Sequence, residues 1–97
     1  MIKHVVMWNI KEGLNRDDVR QTIKSRLESL VESVPALLSA EVGMNYNPSP
    51  AGRDICLYTV FKTKEDLNSY QIHPAHVEVK DYIVSVTTDA VVADYDV

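Results

Sequence analysis

Residues 2–10, IKHVVMWNI, alternate with the two-residue period of a β-strand: Ile2, His4, Val6, Trp8 and Ile10 point one way, and Lys3, Val5, Met7 and Asn9 the other. Both sides are largely apolar. The pattern returns in residues 54–62, where Ile55, Leu57, Thr59 and Phe61 stand opposite Cys56, Tyr58 and Val60. It returns again in residues 89–97, where Ala90, Val92 and Asp94 stand opposite Val91, Ala93 and Tyr95. A sheet of such strands must be covered on both faces, and a chain of 97 residues has little material with which to do so.

Two helical stretches are available for covering. The first begins at Asn15, a capping residue followed by Asp17 and Asp18, and ends at Pro35. Val19, Ile23, Leu27, Leu30, Val31 and Val34 form its apolar stripe, and Arg16, Arg20, Ser25 and Glu32 its solvated face. The second begins at Thr63, with Asp66 three residues later, and carries Leu67 and Tyr70. Beyond Pro74 its stripe continues through Ile72, Ala75, His76, Val79, Ile83 and Val86. Between the helices, residues 38–46 read as an edge strand with Leu38, Ala40, Val42, Met44 and Tyr46 on one face. Residues 47–52 form an exposed, turn-rich loop.

The order is β-α-β-β-α-β, which predicts one α+β domain over residues 1–97, a ferredoxin-like antiparallel sheet with both helical stretches on one face. The three strands with two apolar faces are expected inside the sheet. Val5, Met7, Cys56, Tyr58, Val60, Val91 and Tyr95 would then be left in water, a larger apolar patch than soluble monomers tolerate. A second copy packed sheet against sheet removes it, so the expected partner is the chain itself, in a closed homodimer.

The stretch from Tyr70 to Val77, YQIHPAHV, carries the chemistry. Pro74 lacks an N–H and disfavours helix at His73, so the helix breaks there and restarts. His76 then lies in a first helical turn, where the positive dipole end favours the neutral imidazole. Strand parity brings His4, Tyr70 and His76 toward one cleft between sheet and helices, walled by Val6, Trp8, Ile23, Leu27, Leu57, Val79 and Val92. Such a trio suits proton abstraction beside a carbonyl, with a neutral imidazole as base and a phenol donating to the developing oxyanion. Core packing of the histidines, and a purely structural Tyr70, are the competing readings. His73 is read as supporting the break; a metal held by His73 and His76 is not expected, because their spacing straddles a proline with no carboxylate beside it.

The segment SYQIHPAHV, the opening MIKHVVMW, the Pro35-Ala36 pair after an amphipathic helix and the closing ADYDV together resemble the stress-responsive dimeric α/β-barrel (Dabb) family, over nearly the whole chain. The resemblance implies a dimeric α/β barrel. In a plant polyketide cyclase of that family a histidine and a tyrosine with this spacing form the catalytic pair, and a first-strand histidine assists. By that resemblance His76, Tyr70 and His4 take those roles, in an aldol condensation needing neither metal nor cofactor. Lys24 and Glu28 on the first helix, and Trp8 on the wall, depart from the cyclase and imply a smaller or more polar cavity.

Composition narrows the remaining classes. With 14 acidic and 10 basic residues the formal charge is −4, and no basic cluster stands against it, so neither nucleic acid nor an anionic membrane is an expected partner. No membrane span or basic-apolar leader is visible, and a soluble cytoplasmic protein is expected. Cys56 is alone and reads as a small hydrophobe. The functions in view are a small-molecule cleft that binds or transforms a carbonyl or aromatic compound, a cofactor-free lyase or cyclase, and a non-catalytic stress-associated protein.

Overall fold

The strands pair in the order β2-β3-β1-β4, all antiparallel, in a computed structural model that describes residues 1–97. The elements are β1 (Ile2–Ile10), α1 (Arg16–Ser33), β2 (Leu37–Met44), β3 (Ile55–Phe61), α2 (Lys64–Ile72), α3 (Pro74–Val86) and β4 (Thr87–Asp96). The ferredoxin-like arrangement follows as expected, with the second helical stretch divided at its proline. The last strand, however, lies at a sheet edge rather than inside: β1 holds β3 on one side and β4 on the other, so only β1 and β3 are interior. Past Thr87 every residue of β4 is exposed.

Helix starts are set by side-chain caps. Asn15 accepts the Asp18 N–H at 3.0 Å, and Thr63 accepts that of Asp66 at 3.1 Å. Ile23, Leu27 and Leu30 of α1 are buried against the sheet, but Val31 is 38% exposed and lies off the stripe. Arg20, expected on the solvated face, has only 15% of its side chain exposed, because its guanidinium bridges Asp17 and the backbone carbonyls of Asn45 and Asp54.

The alternation of β1 and β3 is met by the burial. Ile2, His4 and Ile10, with Ile55, Leu57, Thr59 and Phe61, turn to the helices. Cys56, Tyr58, Val60 and Val5 are part-exposed on the far face, which no helix covers. In β2 the expected start is displaced. A register shift between Leu37 and Ser39 makes Leu37 the buried residue and leaves Leu38 48% exposed, while Tyr46 lies beyond the strand at 97%. A second irregularity falls in β4, where Asp89 adopts φ 57° opposite Trp8 and the pairing skips from Met7–Val91 to Asn9–Thr88.

Lys24 and Glu28 have a role that the sequence reading missed. They form an ion pair at 2.7 Å, and each also bonds the backbone of Val42: the ammonium donates to its carbonyl at 3.0 Å, and the carboxylate accepts its N–H at 3.1 Å. They therefore face the outer edge of β2 and contribute nothing to a cavity's polarity. That pairing, and the Val42 N–H after it, hold the Glu28 carboxyl below the usual carboxylate range.

Candidate functional site

His73 divides the two helices. Its backbone is extended, at φ −64° and ψ 133°, so it ends α2; its Nδ1 accepts the Ala75 N–H at 3.1 Å, so it also caps α3. Pro74 occupies the first helical position. The break lets α2 and α3 approach the sheet independently, and it fixes two aromatic groups against each other across it. The rings of Tyr70 and His76 lie 4.2 Å apart between centroids, and Phe61 of β3 is 5.0 Å from the other partner, Tyr70.

A cavity of about 380 Å³ opens between the helices and the β1–β4 half of the sheet. Its floor is a set of cross-strand neighbours: His4 pairs with Asp94, and Val6 with Leu57 on one side and Val92 on the other. His4, Val6, Trp8, Leu27, Leu57 and Val92 line it as expected, and so does His76. Gln71, Lys80, Ile83, Val84 and Ala90 complete the lining and were not anticipated. Two expected wall residues do not reach it. Ile23 is wholly buried in the core, and Val79 turns toward α1 among Arg26, Ser29 and Leu30. The physical reason is the 3.6-residue period, which splits α3 into two faces: 76, 80, 83 and 84 toward the cavity, and 75, 79, 82 and 86 toward the core. Ile72, placed on the same stripe by the sequence, is 79% exposed because the helix ends there.

Each polar group of the trio has a distinct environment. His76 Nδ1 lies 3.0 Å from the Gln71 carbonyl oxygen; a carbonyl only accepts, so Nδ1 carries the proton and Nε2 keeps its lone pair. Burial is the leading reason that the His76 imidazole titrates below its ordinary value, with Lys80, His4 and His73 adding to the shift and the Gln71 bond opposing it. Desolvation, more than the helix terminus, thus keeps His76 neutral. His4 is 7% exposed, and its Nδ1 bonds the Asp94 carboxylate directly. Its backbone carbonyl accepts from the Thr59 hydroxyl at 2.9 Å. Asp94 carries a site contact that parity alone had only placed on the same face.

Tyr70 is wholly buried and meets the cavity through the His76 ring rather than by lining it. Burial drives its phenol well above the ordinary value, so it stays protonated. Its hydroxyl has no hydrogen-bond partner, which leaves a buried donor unused. No group of three or more His, Cys, Asp or Glu side chains is arranged to hold a metal. Cys56 stands apart on the uncovered face, half-buried, and burial raises its thiol, with the Glu41 charge adding to the effect.

Comparison with known proteins agrees with this architecture. Residues 2–97 match the model of the stress responsive A/B barrel domain, Dabb. The stress-response A/B barrel domain-containing protein DABB1 of Arabidopsis thaliana is 28% identical over 104 residues, covering 98% of this chain and 46% of its own length. The chain thus spans less than half of that relative. A dimeric protein of unknown function and ferredoxin-like fold from Bacteroides fragilis superposes with a TM-score of 0.88 at 25% identity, over 99% of this chain and 95% of that one. A hydroxynitrile lyase from Passiflora edulis superposes with a TM-score of 0.85 over 97% and 90% of the two chains; at 18% identity it is alike in fold alone. No helix is long and apolar enough to cross a membrane.

Proposed function

This chain belongs to the stress responsive A/B barrel domain (Dabb) family, and on that premise we propose that residues 1–97 act as one homodimeric unit whose cleft takes a small carbonyl compound and moves a proton on it. The observation that carries this reading is the state of His76. An imidazole whose Nδ1–H is tied to Gln71, and which burial keeps neutral, presents Nε2 as a base beside an apolar cavity. Tyr70, protonated and wholly buried, backs the His76 ring and does not reach the ligand. His4, held by Asp94, is a second imidazole on the opposite wall, suited to orienting the carbonyl compound.

The dimer rests on the uncovered sheet face, where Val5, Cys56, Tyr58 and Val60 are part-exposed and Val91 and Tyr95 are 38% and 46% exposed. The description of the Bacteroides fragilis neighbour as dimeric supports it. The test of function is turnover of a linear 1,3-dicarbonyl compound. His76→Gln keeps the circular-dichroism spectrum and lowers turnover by about 10² or more; unchanged turnover in a folded variant overturns the assignment of His76 as base.

A further inference from the structure

The cavity carries one charged group that nothing in the protein neutralises. Lys80 lies one helical turn beyond His76 on the same wall. The ion pairs of the chain join the Met1 amine to Asp96, His4 to Asp94, Arg16 to Asp54, Arg20 to Asp17 and Lys24 to Glu28, and Lys80 enters none of them. Its neighbours at three and four residues, His76, Val77, Ile83 and Val84, include no carboxylate. Across the cavity the sheet offers Trp8, Ala90 and Val92, none of them acidic, and Asp94, the β4 neighbour of His4, is engaged by that ring. A free ammonium therefore borders the cavity beside an apolar part of its mouth, where Val84 and Val92 are 61% and 63% exposed.

We propose that Lys80 is the specificity-determining residue of this cleft, and that the cleft's ligand is a compact organic carboxylate whose apolar body lies against Trp8, Val84 and Val92 while its charge meets the Lys80 ammonium. Lys80 and His76 share one wall, so a carboxylate held by the first brings the adjoining carbons of the ligand toward the second. This inference rests on the reading of the cavity as a small-molecule site and adds the charge of what enters it. A neutral ligand of the same shape gains the apolar contacts alone. The carboxylate gains in addition a charge-assisted bond to the exposed Lys80 ammonium.

The experiment compares 3-phenylpropanoate with its neutral amide by calorimetry, while the ring signals of His4 and His76 are followed by NMR. Wild-type protein binds the carboxylate about tenfold more tightly than the amide, a preference equivalent to about 1.4 kcal/mol. Lys80→Met abolishes the preference without weakening the amide, Lys80→Arg retains it, and raised salt reduces it. Equal preference in wild-type protein and Lys80→Met overturns the role of Lys80 while leaving the cleft reading intact. Absence of any His4 or His76 response to both compounds overturns the two together.

Discussion

Tyr70 and His76 form one aromatic unit across the break between α2 and α3, with ring planes tilted by 47° and centroids 4.2 Å apart. The contact needs the break. In an unbroken helix two residues six positions apart differ by about 600° of rotation, which leaves them about 120° apart around the axis and about two turns along it. His73 and Pro74 reset that phase, so a phenol and an imidazole that helical continuity would separate are brought ring to ring.

Replacing Tyr70 by phenylalanine separates ring from hydroxyl. The ring packing survives, and a buried donor without a partner is removed. Urea denaturation should therefore show stability unchanged or raised by about 1 kcal/mol, while turnover of a 1,3-dicarbonyl compound should be little changed because the hydroxyl does not line the cavity. A variant that keeps its stability and loses turnover would instead make the hydroxyl a donor to the substrate.

His76 should also leave a mark on stability against pH. Its folded pKa lies below the unfolded value of 6.5, because the buried ring resists charge. The unfolded chain thus takes up the proton first as pH falls, and stability rises with pH across that interval. The contribution is complete above about 6.5 and is lost as pH drops through the folded value. Denaturation curves recorded at several pH values between 7.5 and 4.5 should be steeper in pH for wild-type protein than for His76→Gln; parallel curves would contradict the desolvated ring.

On the proposed reading, Asp94 should position His4 rather than react. Changing it to asparagine removes the carboxylate that accepts from His4 Nδ1, and an amide can offer that nitrogen either its oxygen or its NH₂. The His4 ring should then show a changed tautomer balance in its ¹⁵N shifts, with turnover lower by about tenfold. Identical His4 ¹⁵N shifts in the two proteins would remove Asp94 from the site.

The uncovered face gives the fourth expectation. A lysine in place of Val60 adds a second positive charge to the uncovered face, beside its cross-strand neighbour Lys3, where a second copy would bury it without an opposite charge directly across from it. Sedimentation at micromolar concentration should find the wild-type chain dimeric and Val60→Lys monomeric with an unchanged fold. A wild-type monomer would refute the dimer.

Much of this was readable from the sequence because β1 and β3 alternate without interruption and Pro74 leaves the helix no alternative. Their parity fixed which residues share a face with His4 and Trp8. Leu38 escaped the same logic because a bulge changes phase within the strand, which no period reveals. Val79 and Lys80 are adjacent and both compatible with an apolar-facing helix, yet only Lys80 reaches the cavity. That choice depends on how α3 rolls against α1 and the sheet, which is a property of packing. The edge position of β4 is likewise a matter of strand order, to which apolar content is a poor guide.

The Lys24–Glu28 clasp on Val42 has a consequence for how the molecule behaves in a crowd. The N–H and C=O it occupies are the outward groups by which a foreign strand would extend the sheet from β2. The helix thus denies the sheet a template for fibril growth at that point, and the denial is carried by a carboxylate. Acid strong enough to protonate Glu28 removes the carboxylate half of that clasp, and the pairing with Lys24 and Val42 lowers the pH at which this happens.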